Sequence, residues 1–231
     1  VKWIEYNERL DFCMDRSLST INASKTWSSP VMDATGRLAE EGIDGSGVTV
    51  VVLDSGIDAG HPDLDYGEKT IMNLKSDTGT GPWYEIENGD TSMGHGTHCA
   101  GTVAGNGDAS GGARRGVAPG ANLIGLSAGD ALYITGALGG MEWVYDHSRP
   151  SDNPYNIRVV SNSWGAGGAE YDPSDSICAI TERIGIDNNV MVVFAAGNSD
   201  GDGSDIQSSN YGSTPIALCI AALERDGSGV A

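Results

Sequence analysis

Val48-Thr49-Val50-Val51-Val52-Leu53-Asp54-Ser55-Gly56 is the stretch from which the rest of the chain is read. Six apolar or β-branched residues in a row, without polar alternation, predict a strand of a parallel sheet buried on both faces. The turn cluster Gly42-Ile43-Asp44-Gly45-Ser46-Gly47 leads into it, and Asp54-Ser55-Gly56 ends it. Asp54 therefore stands at the carboxyl end of a buried strand, where open α/β sheets collect their ligands and chemistry.

Working outward, the same rhythm repeats. Residues 95–104 read as a helix of small residues and 122–126 as a strand. Over 136–147, Ala137, Leu138, Met141, Val144 and Tyr145 recur at the i, i+3, i+4 spacing of a helix packed on one face. Arg158-Val159-Val160 is a strand running into Ser161-Asn162-Ser163-Trp164-Gly165. Residues 175–187 form a helix, and 190–196 and 216–222 two further strands, the first of them buried. Strands alternating with helices imply a doubly wound parallel sheet flanked by helices, an α/β fold. Trp3-Ile4-Glu5-Tyr6 is a candidate short strand ahead of it.

Composition narrows the function classes. Against 32 acidic residues stand 13 basic ones, a net charge of −19, which repels nucleic acid and anionic membranes and favours cations. No run of about 18 apolar residues exists, so a membrane-spanning helix is not expected. The start, Val1-Lys2-Trp3-Ile4-Glu5, is no signal peptide. An acid-coated globular surface suits a secreted protein, and equally one kept hydrated in high salt. Cys13, Cys99, Cys178 and Cys219 show no CxxC spacing. The last three sit among apolar or small residues and read as small buried hydrophobes, with a Cys178–Cys219 disulfide left open.

Three residues carry candidate chemistry. Asp54 alone is equally a turn cap. His95, in Gly94-His95-Gly96-Thr97-His98-Cys99-Ala100-Gly101, is flanked by glycines that permit close backbone approach, and needs an acid such as Asp54 to fix its tautomer. Asn198, in Ala195-Ala196-Gly197-Asn198, ends a strand, where a side-chain amide can donate to a developing oxyanion or simply turn the chain.

Together these segments resemble the subtilases. Val51-Val52-Leu53-Asp54-Ser55-Gly56-Ile57-Asp58 with His61-Pro62-Asp63-Leu64 is similar to the family's aspartate motif, and Gly94 to Thr102 to its histidine motif. Gly116-Val117-Ala118-Pro119-Gly120-Ala121 resembles the segment before the next core strand, Ser161 to Gly165 the substrate-binding strand, and Ala196-Gly197-Asn198 the oxyanion asparagine. The resemblance implies a serine endopeptidase: His95 as base and acid, Asp54 orienting it, and Asn198 on the oxyanion. Ser163, Trp164, Gly165, Ala196 and Gly197 would then line a groove for an extended peptide substrate. It also implies that residues 1–27 are the end of a propeptide and its junction, that 28–231 are the front of the catalytic domain, and that the propeptide is a partner.

The family's Gly-Thr-Ser-Met-Ala serine motif is absent; Thr91-Ser92-Met93 lacks its flanking residues, and Ser92 is rejected as nucleophile. The expected serine lies downstream, and this chain alone is expected to be inactive. Calcium is the implied cofactor, at Asp63 with the loop after the histidine helix, or at Asp200, Asp202 and Asp205 in a glycine-rich loop with the oxygen density hard cations require. Two alternatives stay open: a non-catalytic subtilase-like module binding peptides or partners, and a metal hydrolase using His95, His98 and Cys99.

Overall fold

The computed structural model describes residues 14–28, 31–32, 38–39, 42–91, 93–129, 133–198 and 208–222. The candidate strand at Trp3 to Tyr6, Cys13, Ser92 and the loop holding Asp200, Asp202 and Asp205 lie outside the described residues. In chain order the elements are α1 (Met14–Thr20), α2 (Ala23–Ser28), β1 (Val31–Met32), β2 (Leu38–Ala39), β3 (Thr49–Asp54), β4 (Thr70–Lys75) and β5 (Tyr84–Glu85). They continue with α3 (His95–Ala104), β6 (Asn122–Ser127), α4 (Ile134–His147), β7 (Ile157–Asn162), α5 (Ser176–Asn188), β8 (Met191–Ala195) and β9 (Leu218–Ile220).

β3 is buried along its whole length, as an uninterrupted apolar run requires, and lies at the centre of a seven-stranded sheet ordered β5-β4-β6-β3-β7-β8-β9. It pairs in parallel with β6 on one side and β7 on the other. After β3 the chain builds outward through β4 and returns to β6, then crosses to β7 on the opposite side. The topology therefore reverses around β3, so the Asp54 end of this strand faces the switch-point crevice. β5 departs from the parallel expectation: it folds back antiparallel on β4. It is only two residues long and exposed, so no apolar pattern announces it.

Period-two alternation splits the core into two layers. Val51 and Leu53 point to one face with Ile124, Leu126, Met141, Val144, Ile177, Ile184 and Phe194, under α4 and α5. Val50 and Val52 point to the other, with Ile57, Leu64, Ala100, Ala104 and Leu123, under α3. The small residues of α4 exist for close approach: a Cβ on Gly140 would lie 2.3 Å from Leu53 Cδ1. At the far edge the sheet is less covered than the sequence suggests. Met191 of β8 is 50% exposed and Leu218 and Ile220 of β9 are 44% and 54% exposed. The 190–196 segment is thus buried on alternate residues only, because α5 covers one face of β8 and the described elements leave the other more open. Cys219, expected to be buried, is exposed on β9; Cys178 is buried and Cys99 half-buried, and all three are free thiols.

α2 is fastened to this body. Ile43 N donates to Thr26 O (2.7 Å) and Trp27 Nε1 donates to Val117 O (3.0 Å). The junction expected at residues 27–28 falls inside that helix.

Candidate active site

β3 delivers Asp54 and α3 delivers His95 to the same end of the sheet. Contact between the two elements is close because Gly96 has no side chain: a Cβ there would meet Gly56 O at 2.2 Å and Asp54 Cβ at 3.0 Å. His95 Nδ1 lies 2.6 Å from Asp54 Oδ1. A carboxylate only accepts, so the ring carries its proton on Nδ1 and leaves Nε2 as the basic nitrogen. The Asp54 side chain is 5% exposed and that of His95 49%: the acid is sealed and the base faces solvent. Asp54 Oδ1 also accepts from Ser55 N (2.8 Å), while Oδ2 has no hydrogen-bond partner among the described residues.

An open cleft of about 190 Å³ begins at this pair, lined by Asp54, Ser55, Met93, His95, Gly129, Ser163 and Trp164. Trp164 is half-buried. Its Nε1 donates to Leu53 O (2.8 Å), the last carbonyl before Asp54, and its ring meets Phe194 edge-on at 5.2 Å. The indole also walls a second, apolar hollow of about 120 Å³ with Tyr133, Ile134, Ala137, Gly165, Ala166, Ile177 and Tyr211. Ser163, Trp164 and Gly165 thus follow β7 out of the sheet past both hollows. Ala196, Gly197 and Asn198 follow β8 out of the same sheet end, with Gly197 at φ 115° and Gly197 and Asn198 exposed. Asn198 is not among the residues lining the cleft at His95.

Cys99, one helical turn beyond His95, brings Sγ to 3.9 Å from His95 Nδ1. Burial pushes this thiol up, against a lowering hydrogen bond with Ser163. Asp54, His95 and Cys99 are the one group of three potential metal-binding residues found among the described residues. The direct bond between His95 Nδ1 and Asp54 Oδ1 leaves no room for an ion between those atoms. His98 is not in the group. It lines a separate hollow of about 340 Å³ with His61, Arg114 and Arg115, so the His95, His98 and Cys99 metal set is not assembled.

The Asp63 region does not fit calcium. Asp63 Oδ1 accepts from Ala109 N (2.7 Å). Asn106 Oδ1 is held by Asp108 N (3.0 Å), which fixes the amide and turns Nδ2 toward Asp65 Oδ2 (3.2 Å) and Asp108 Oδ2 (3.0 Å). A hydrogen-bond donor thus stands where a cation would need oxygen.

Sequence reasoning missed Asp90, which is buried with both oxygens saturated: Oδ1 accepts from Ser55 Oγ and Gly94 N, and Oδ2 from Thr97 N and Oγ1. Burial alone would raise this carboxyl, but those hydrogen bonds outweigh it and hold it below the usual value. The available signal was an acid a few residues ahead of a helix whose N-cap is glycine.

The sheet order, the strand-end carboxylate and the histidine helix define a subtilisin-like α/β fold, and the chain belongs to the Subtilase family (Peptidase_S8), which it matches over residues 45–227. Among curated relatives it is 35% identical to the serine protease AprX of Bacillus subtilis over 79% of this chain and 39% of that one. It is 28% identical to fervidolysin of Fervidobacterium pennivorans over 89% of this chain and 28% of that one. Of solved structures, the S41 psychrophilic protease superposes with a TM-score of 0.67 at 29% identity, covering 81% of this chain and 58% of that one. Sphericase gives 0.63 at 28% identity, covering 82% and 59%. The chain spans well under half the length of these two curated relatives.

Proposed function

We propose that the chain is the Asp- and His-bearing part of a serine endopeptidase that hydrolyses peptide bonds through an Asp-His-Ser triad. The observation that carries this reading is the 2.6 Å bond between sealed Asp54 and solvent-facing His95 at the end of the central strand. His95 Nε2 takes the proton of an attacking serine hydroxyl and returns it to the leaving amine. Asp54 holds the tautomer and stabilises the imidazolium.

The serine belongs to a segment beyond residue 231, because no Gly-Thr-Ser-Met-Ala motif occurs within the chain. Asn198 donates to the tetrahedral oxyanion. An extended peptide pairs with the backbone from Ser163 to Gly165 and seats an apolar side chain in the hollow between Tyr133 and Trp164. Secretion and inhibition by the protein's own propeptide complete the reading. Calcium at Asp63 is not part of it.

The test is hydrolysis of a fluorogenic peptide by the full-length protein, with labelling by a serine-directed phosphonate. His95→Ala should abolish both turnover and labelling while far-UV circular dichroism is unchanged. Binding of an extended peptide without turnover or label would instead identify a non-catalytic module.

A further inference from the structure

We propose that Asp90 is a positioning residue for the Asp54–His95 pair: its buried carboxylate ties the residue after Asp54 to the residues on both sides of His95. The inference rests on reading that pair as catalytic.

Asp90 is 6% exposed. Through Oδ1 it accepts from Ser55 Oγ (3.1 Å), at the end of β3, and from Gly94 N (3.0 Å), immediately before His95. Through Oδ2 it accepts from Thr97 N (3.0 Å) and Thr97 Oγ1 (2.7 Å), two residues after His95. The two hydroxyls extend the clamp. Ser55 Oγ in turn accepts from Gly96 N (2.9 Å), and Thr97 Oγ1 accepts from Asp58 N (3.0 Å). Gly96 N to Ser55 Oγ and Asp58 N to Thr97 Oγ1 thus join the β3 side, which presents Asp54, directly to the first turn of α3, which presents His95, and the Asp90 carboxylate bridges the same two sides.

The need for this arrangement is local. α3 begins at Gly94, in the left-handed region at φ 70° and with no capping side chain of its own. Gly94 N and Thr97 N, which have no partner within the helix, find their acceptor in Asp90. A carboxylate satisfies them and complements the positive end of the helix. A cap for the helix alone needs only one or two of these bonds. The bond from Ser55 goes further: it points the serine hydroxyl so that its oxygen accepts from Gly96 N, and so ties the helix start to the end of β3. With the Gly96 backbone already against Gly56 and Asp54, the seat has no slack that a loosened helix could use without moving the His95 ring.

Asp90→Asn replaces one accepting oxygen with an NH₂ group that faces N–H and O–H donors, so the clamp opens on one side while volume is kept. The experiment uses the full-length protein and two readouts: the downfield proton resonance of the His95 Nδ1–H bonded to Asp54, and kcat and KM on a peptide substrate. The expectation is that Asp90→Asn broadens or abolishes the resonance and lowers kcat by roughly 100-fold, the effect of a misplacement of about 1 Å, while KM stays near wild type. Should Asp90→Asn fail to fold, Thr97→Val removes one bond and the tie to Asp58 while leaving the carboxylate, and should shift the same resonance and lower kcat less. A variant with a reduced Tm but unchanged resonance and kcat would overturn the proposal and leave Asp90 a helix cap. A wild type with neither resonance nor turnover would instead overturn the triad reading on which it rests.

Discussion

At the N-terminal end of α3, Asp54 and Asp90 are buried and bonded to specific donors on two elements; at its C-terminal end, Asn106 links Asp65 and Asp108, and Asp63 accepts from Ala109 N. Both ends gather carboxylates in a chain of net charge −19, yet they manage the charge differently. Buried charge must be satisfied or it is expensive. Asp90 is fully satisfied, whereas Asp54 leaves one oxygen without a partner among the described residues and spends the other on His95 and Ser55. The outer acids share solvent, a neutral amide and the nearby Lys69, whose ammonium is half-buried and pushed down by that burial while Asp44 and Asp108 draw it back up. Burial, more than the number of acids, separates the end proposed to do chemistry from the end that closes a loop.

The largest effects should therefore fall at the buried end. Asp54→Asn leaves the ring volume and packing intact but removes the charge and favours the wrong imidazole tautomer, and kcat should fall by about 10⁴-fold, as in other Asp-His-Ser triads. Asp63→Asn, the same change at the outer end, should leave kcat within about twofold, since Asp63 does not line the cleft at His95. Equal losses in both variants, measured on one peptide substrate, would erase the distinction between the two ends. Asn198→Ala should come next, with kcat down about 10²–10³-fold and KM little changed, the range known for subtilisin's own oxyanion donor. An unchanged kcat would remove Asn198 from the site.

A third contrast is in pH. The folded pKa of Asp90 lies below its ordinary value of 3.8. Stability from its bonds is therefore fully present above the unfolded value and is lost as pH falls through the folded one, below 3.8. The Tm of wild type should exceed that of Asp90→Asn at neutral pH, and the gap should narrow only below about pH 4. A gap that is constant from neutral pH down to acid unfolding would show that the charge on Asp90 contributes nothing.

The sequence reached some of this and not the rest, for physical reasons. β3 and α3 were legible because a six-residue apolar run and a glycine-flanked, small-residue helix have few other uses, and the strand-end position of Asp54 follows from the first. α3 was placed to its terminal residues, and the helix read at 175–187 begins where Asp175 caps it through Ile177 N and Cys178 N. Asp90 was illegible: it is one acid among 32, and one of its partners, Ser55, is 35 residues away. The Trp164 bond to the Leu53 carbonyl spans 111 residues and leaves no local trace. Cys219 was misread because its apolar neighbours describe a strand, while burial depends on what packs across that strand, which neighbours in sequence do not reveal.

The smallest effect tests the outer end. If Asn106 Nδ2 does the bridging there that a cation would do, Asn106→Asp should change the loop's chemistry without changing its shape. The new carboxylate can still accept from Asp108 N through the oxygen that replaces Oδ1. Its other oxygen would face Asp65 Oδ2 and Asp108 Oδ2 across the 3.2 and 3.0 Å now spanned by the amide, and like charges at that distance repel. The three carboxylates would then form the oxygen-rich, anionic set that hard cations prefer. The variant should lose roughly 2–4 °C in Tm in the presence of a chelator, equivalent to about 1 kcal/mol in a chain of this size, and recover it in millimolar calcium. The informative quantity is the difference between variant and wild type in the two conditions, because a calcium response elsewhere in the chain is common to both and cancels. A wild type that loses as much Tm to chelator as the variant does, with Asp63→Asn abolishing that loss, would show that the outer end already holds a cation and that the amide is no substitute for one.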